Sequence, residues 1–448
     1  MINARTLAYQ ILLHLNQNVS HPDRLIRTTL DRHSRLDERD RALLTELVYG
    51  ALRWQGRLDW YIDRLSTTKP GKIDPAVRIL LRLALYQILF LDRVPAHAAV
   101  NETVNIAKST QPRYLAGFVN AILREAIRRH PKWDWPDPVK QPEEFLAVTA
   151  SHPQWFVRRF LQRCGFEETR ELCDANNTIA PMVLRVNTLK SDSIQVREWL
   201  AEEGIHAEPS PYVSDAVRVS GLRHDIARMP IYVQGWVQVQ DEASQLVSHL
   251  VSPQPGERVL DLCAGFGGKS THLAALMDNT GEILSVDLSA WKLEELQENA
   301  RRQGSGIISA LAADVLHLPP EELGSFDRIL LDAPCSGFGT LRRNPDIKWR
   351  RHPKDPYRFS RIQKGLLRHA AQFVKRGGVL VYAACTVFPE ETEEIARDFL
   401  ECNAGWAIEP AGEFLPEPCR LMTDGPFFRS WPHRHEVDGF FGARFRRS

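Results

Sequence analysis

Long apolar runs are missing from this 448-residue chain. No stretch approaches the roughly 18 apolar residues that a membrane-spanning helix needs. An excess of one charge is missing too, with 57 Lys and Arg against 56 Asp and Glu, so any polyanionic partner must be argued from local clusters. The seven cysteines, Cys164, Cys173, Cys263, Cys335, Cys385, Cys402 and Cys419, form no C-x-x-C pair and no dense framework. That spacing excludes a disulfide scaffold and gives no metal site. The start, "MINARTLAYQILLHLNQN", lacks the charged, apolar and cleavage regions of a secretory signal, and its Leu7, Ile11, Leu12 and Leu15 follow a helical stripe instead. The expectation is a cytoplasmic protein, free of membranes, whose thiols are reduced.

What is present suggests two or three domains, since the length exceeds one ordinary core. Residues 1–130 read as all helix, and "DPAVRILLRLALYQILFL" is apolar nearly all round, as a central buried helix would be. Four prolines in "HPKWDWPDPVKQPEE" place a linker at 131–143. Residues 144–250 mix helical patterns with strand-like "MVLRVNTLK" and "WVQVQDEASQLV", as a small α+β connector would. From 251 to 448 the strand candidates "RVLDLC", "EILSVDL", "IISALAAD", "FDRILLDAP" and "GGVLVYAAC" alternate with helices. Such alternation implies βαβ units and a doubly wound, mostly parallel sheet. The last segments, "WAIEP" and "GFFGARFRR", are expected to pair as an antiparallel edge.

Ligands of open α/β sheets lie beyond the carboxyl ends of the strands, where every chemical motif of this chain falls. "DLCAGFGGKS" follows the first strand, and its Gly265, Gly267 and Gly268 let backbone approach a ligand at a helix start. The spacing is neither G-x-G-x-x-G nor a Walker loop, which would need glycine at Cys263. Asp287 ends the second strand, placed to accept from ribose hydroxyls, and Asp314 ends the third, placed to accept from an adenine amino group. Taken singly, each reads equally as a turn or cap residue. Together they favour a nucleoside cofactor without a phosphate clamp, and S-adenosylmethionine fits better than a dinucleotide.

The fourth strand delivers "DAPCSG", Asp332 to Gly337, and the fifth delivers Cys385 in "YAACTVFPEE". One buried cysteine is ordinary packing. Two at neighbouring strand ends suit a particular reaction, because pyrimidine C5 is a poor nucleophile until a thiolate adds at C6. Between them "RRNPDIKWRRHPKDPYRFSRIQK" carries nine Lys and Arg among two Asp, with Trp349, Tyr357 and Phe359 interleaved. Such a run suits phosphate contact and base stacking. Its leading residues Arg342, Arg343, Lys348, Trp349 and Arg350 are the candidate RNA contacts.

Taken together, "DLCAGFGGKS", Asp287, Asp314, "DAPCSG" and "AACTVFPEE" resemble the bacterial Fmu/RsmB (Sun) branch of RNA cytosine-5 methyltransferases, relatives of the Nop2/NSUN enzymes. "VPAHAAVNETVNIAK" and "GFVNAILR" look like the NusB-like domain of that branch, and "RVNTLK", "VQVQDEASQLV" and "PHRHEVDGFFGARF" also match its pattern. The resemblance implies an all-α NusB-like RNA-binding domain, a small α+β RNA-binding connector and a C-terminal α/β class I (Rossmann-like) methyltransferase domain. It implies methyl transfer from S-adenosylmethionine to C5 of a cytosine in 16S ribosomal RNA, as naked RNA or a partly assembled subunit. A monomer is expected, because no exposed heptad or apolar edge is legible in the sequence. Cys263, Ala264, Gly265, Phe266, Gly267, Gly268 and Lys269, with Asp287, Asp314 and Asp332, would contact cofactor or target base. Cys385 would be the nucleophile, Cys335 would assist proton loss and product release, and Asp332 would hold the base edge. The chain departs from the family at Gly265-Phe266, where Ala-Pro is usual, and at Ala384, Thr386 and Thr392, where Thr, Ser and Asn are common. Two rivals stand beside this reading: a non-catalytic RNA-binding or assembly factor on the same fold, and the same chemistry on transfer RNA or DNA.

Overall fold

Asp74 begins the most apolar helix of the chain, Pro75–Phe90, its carboxylate accepting from Ala76 N–H at 2.8 Å while Pro75 occupies the first turn. Nine consecutive-turn residues from Val77 to Gln87 are buried on several faces of that helix, so it runs through the middle of a helical unit, as its composition predicts. The computed structural model describes residues 3–18, 20–222 and 225–448. Two compact units emerge, the first comprising Met1–Asn177 with Asn344–Arg350, the second Thr178–Arg343 with Arg351–Ser448. Among the described residues no helix is long and apolar enough to cross a membrane.

In the first unit, the helices Ala4–Gln17, Glu38–Arg53, Gln55–Leu65, Ala96–Thr110 and Arg113–Arg129 surround the central one. Proline ends the helical run at 131, yet the segment expected as a linker folds back: Trp135 stacks on Trp60 at 4.8 Å and Trp133 packs on Tyr61. Helices Pro142–Thr149 and Gln154–Asn176 then extend the unit to Asn177. Residues Asn344–Arg350 complete it, with the Lys348 ammonium donating to Arg53 O at 2.7 Å, Ser151 O at 2.9 Å and Asn177 Oδ1 at 2.9 Å.

The second unit holds two sheets. Strands β1 (Met182–Val186), β2 (His206–Pro209), β3 (Ala216–Ser220) and β4 (Val237–Val239) form an antiparallel sheet in the order β2-β3-β1-β4. The larger sheet contains β5 (Arg258–Leu262), β6 (Glu282–Asp287), β7 (Ile308–Ala312), β8 (Phe326–Asp332), β9 (Val374–Ala384), β10 (Trp406–Glu409), β11 (Thr423–Asp424), β12 (Phe427–Arg429) and β13 (Phe441–Arg447). Its order is β11-β12-β13-β9-β8-β5-β6-β7, with β10 paired to β13. The five strands β5 to β9 are parallel and carry near-continuous apolar runs, because helices cover both faces. β10 and β13 do pair antiparallel, Trp406 opposite Arg447, but β13 is interior, since its buried Phe441, Ala443 and Phe445 also pack between β9 and β12. Buried Arg185 of β1 joins the two sheets' layers by donating to Thr271 Oγ1 at 2.9 Å and Gln303 Oε1 at 2.7 Å. Strand order reverses at β5, which has β6 on one side and β8 on the other, and this opens a crevice at its carboxyl end.

Candidate active site

Beyond β5 the chain turns through three left-handed residues, Cys263 (φ 62°), Gly265 (φ 57°) and Gly267 (φ 75°), before the helix Gly268–Leu276. Gly267 is obligatory on two counts: its φ, and a Cβ there that would stand 2.4 Å from the Leu296 side chain. Asp287, ending β6, accepts from Gly265 N–H and from Ser289 N–H, each at 2.9 Å, and so ties the glycine loop to the next strand. Asp314 caps the turn Val315–His317, accepting from Leu316 N–H at 3.0 Å, and its other oxygen lies 3.0 Å from His317 Nδ1. Both acids thus have the cap or turn role open to them from sequence, with lone pairs still available to a ligand. Exposed Phe266 meets Trp291 edge-to-face at 5.3 Å, an aromatic pair at the loop mouth. Trp291 was not legible as a site residue, although an aromatic four residues after a strand-end acid was its available signal.

Strands β8 and β9 are neighbours in parallel register, Asp332 opposite Ala383, and they end at the two cysteine loops. Cys335 Sγ and Cys385 Sγ lie 3.2 Å apart, both half-buried. Gly339 N–H donates to Cys385 O at 3.0 Å, and Gly439 N–H donates to Gly339 O at 2.8 Å. A Cβ on Gly339 would fall 1.8 Å from Gly439 O, so this backbone crossing requires glycine. The hydrogen bond with Cys385 and burial together push the Cys335 thiol well above its ordinary range. Either sulfur can be the donor across the 3.2 Å contact, so one thiol can support the charge of the other.

Asp332 Oδ2 accepts from Lys269 Nζ at 2.6 Å, leaving Oδ1 for another donor. Burial alone would disfavour the Lys269 ammonium, but the Asp332 carboxylate more than offsets it and the lysine titrates above its usual value. Burial, reinforced by Asp332 and Asp287, pushes the Cys263 thiol far up, so this third cysteine is an inert wall of the crevice. Beneath the loop, Asp261 of β5 is wholly buried, with only Ser270 Oγ donating to it at 2.6 Å. Burial raises its pKa to about 7. Because the folded value exceeds the unfolded one, the native state holds the extra proton. Stability from this group therefore falls as pH rises from about 4 to about 7, by on the order of 4 kcal/mol. Asp261→Asn is expected to flatten that part of a melting-temperature-against-pH curve, and a variant curve parallel to the parent's would refute the assignment.

The candidate RNA contacts need correction. Lys348 is 0% exposed and spends its ammonium on three internal oxygens. Trp349 Nε1–H donates to Leu52 O at 2.7 Å, and Arg350 to Ser20 O at 2.8 Å. Arg343 bonds Asp241 at 2.8 Å and Asp438 at 3.0 Å, and Arg342 is buried. These five side chains are structural, because their segment packs inward as the short helix Ile347–Arg350 and the loop before it. The exposed cations of the same run are Lys354, which precedes the helix Asp355–Ala370 as its cap, and Arg358 and Arg361 on its first turns, with exposed Tyr357 beside them. Their spacing of four and three residues puts them on one face.

A doubly wound sheet, a glycine loop at its reversal and two thiols at adjacent strand ends define a Rossmann-type methyltransferase, here in one chain with a helical unit and a small antiparallel sheet. Residues 248–446 match the family model described as 16S rRNA methyltransferase RsmB/F, residues 2–128 the NusB family, and residues 152–223 the ferredoxin-like domain of RsmF/B-like methyltransferases. The chain belongs to the RsmB/F family of 16S rRNA methyltransferases. It is 38% identical over 448 residues to the probable ribosomal RNA small subunit methyltransferase B of Bacillus subtilis, covering 99% of each chain. Its identity to the corresponding protein of Synechocystis is 37% over 451 residues, with 100% of each covered. Among solved structures, that of PH0851 superposes with a TM-score of 0.84 at 29% identity, covering 99% of both chains.

Proposed function

We propose that this protein methylates C5 of a cytosine in small-subunit ribosomal RNA, using S-adenosylmethionine and a covalent cysteine–C6 adduct. The observation that carries the reading is the 3.2 Å approach of Cys335 and Cys385 beside the Asp332–Lys269 pair. A nucleoside cofactor suits the donor set: open space lies over Gly265 and Gly268, Phe266 and Trp291 offer a flat apolar surface, and Asp287 and Asp314 retain acceptor capacity. Bound there, S-adenosylmethionine supplies an electrophilic methyl group. Cys385 thiolate forms a bond to C6, and the C5=C6 electron pair moves to C5, which becomes the nucleophile. Asp332 accepts from the base edge through Oδ1 and stabilises protonation at N3. Once C5 is methylated, a base, either water or Cys335, takes its proton, the double bond re-forms and the C6–S bond breaks. Cys335, 3.2 Å from the departing sulfur and able to donate to it, is assigned to its release.

The base must be unpaired or flipped to reach these thiols. Lys354, Arg358 and Arg361, with Tyr357, form the face proposed to take the RNA backbone; on the next residues of that helix, buried Gln363 donates to Pro334 O at 3.0 Å beside Cys335. The test incubates the protein with labelled S-adenosylmethionine and 16S ribosomal RNA, then digests the RNA and looks for 5-methylcytidine. Reversing all three cations to glutamate is expected to weaken RNA binding about 10²-fold at low salt while cofactor binding is unchanged. Absence of a thermal shift with S-adenosylmethionine, together with tight RNA binding, would instead support an assembly factor.

A further inference from the structure

Glu391 is fully buried in the turn Pro389–Glu391 that follows the Cys385 loop. A carboxylate hidden from water needs donors, and this one has three. Oε1 accepts from Ser336 N–H at 2.7 Å and from Gln363 Nε2 at 3.3 Å, while Oε2 accepts from the Thr386 hydroxyl at 3.1 Å. Ser336 directly follows Cys335 and Thr386 directly follows Cys385, and their hydroxyl oxygens are 2.8 Å apart. One side chain thus reaches the residue after each thiol. Proton accounting gives the network a direction: Thr386 has one proton, so when it donates to Glu391, Ser336 must donate to Thr386. Gln363 also donates to Pro334 O, the residue before Cys335, and Tyr382 donates its hydroxyl to the Glu391 carbonyl at 2.6 Å.

We infer that Glu391 is a positioning residue, whose side chain clamps the Cys335 loop to the Cys385 loop and so holds the two thiols within reach of each other. Its part in turnover rests on the covalent reading above, whereas the clamp is a matter of geometry. Burial pushes its carboxyl up to about 6, against the pull of the Ser336, Thr386 and Gln363 bonds. A glutamate kept in that position despite its burial is kept for what it bonds.

The experiment compares Glu391→Ala, Glu391→Gln and Thr386→Val in the full chain by two readouts. Dibromobimane fluoresces only after bridging two nearby thiols, and the signal of interest is the part lost in Cys335→Ala. Single-turnover methyl transfer to 16S ribosomal RNA is the second readout. In Glu391→Ala, bridging is expected to fall about tenfold and the methyl-transfer rate about 10²-fold, with the KM values for RNA and S-adenosylmethionine nearly unchanged. Glu391→Gln retains an oxygen for Ser336 N–H and an NH₂ for Thr386 Oγ1, so its bridging is expected to stay within about twofold of the parent. Thr386→Val cuts one arm and should fall between them, which keeps the test decisive if Glu391→Ala does not fold. Parental bridging in a folded Glu391→Ala or in Thr386→Val would overturn the clamp, as would an equal loss in the glutamine and alanine variants. The expected bridging order without any RNA methylation would support the clamp and sink the methyl-transfer reading.

Discussion

Cys385→Ala is expected to abolish methyl transfer and the denaturation-resistant protein–RNA band together, a loss of about 10³-fold or more. Cys335→Ala should do something different: slow turnover while that band accumulates. The asymmetry follows from the two roles proposed for the pair. With Sγ atoms 3.2 Å apart, either thiol can donate to the other. Addition to C6 needs a thiolate, the role proposed for Cys385. Departure needs the sulfur's returning charge to be stabilised, and Cys335 is in hydrogen-bond range of it. Removing Cys335 therefore leaves attack possible and makes release slow. The reverse pattern, adduct with Cys385→Ala and none with Cys335→Ala, would give the nucleophile's role to the Pro-Cys thiol. Full activity in both variants would end covalent catalysis as an account of this site.

The thiol pair was legible in sequence because parallel strands adjacent in a doubly wound sheet end at the same edge, and both cysteines directly follow or nearly follow a strand end. The same reasoning located the glycine loop and the three strand-end acids. It failed on the basic run, since a list of cations does not say which ones have oxygens waiting. The oxygens that hold Lys348 belong to Arg53, Ser151 and Asn177, far away in the chain, and no local pattern announces them. Glu391 was hidden for a related reason. In "PEE" it reads as an acid at the start of a helix, and only the fold brings Ser336 N–H to it. The prolines of residues 131–143 mark where the helical pattern stops, and the two tryptophans among them pack on Trp60 and Tyr61.

Asp332→Asn is expected to lower the methyl-transfer rate about 10²–10³-fold, as losing a charge aimed at a developing cation does. The base gains positive character at N3 as C5 becomes nucleophilic, and a carboxylate stabilises that proton where an amide does not. Asp332 also has a structural task, because the half-buried Lys269 ammonium pairs with it at 2.6 Å, and separating the two effects needs a second substitution. Breaking the pair from either side should cost about 2–3 kcal/mol of stability, since Asp332→Asn strands the ammonium and Lys269→Met strands the carboxylate. The double variant Lys269→Met/Asp332→Asn removes both charges, and its melting temperature should recover most of that loss. Its rate should not recover, because the base edge still meets an amide. If the double variant regains rate along with stability, Asp332 is a counter-ion for Lys269 and nothing more. If Lys269→Met alone keeps a fast rate, the carboxylate needs no partner to act on the base, and the lysine serves only to hold the glycine-loop helix to β8.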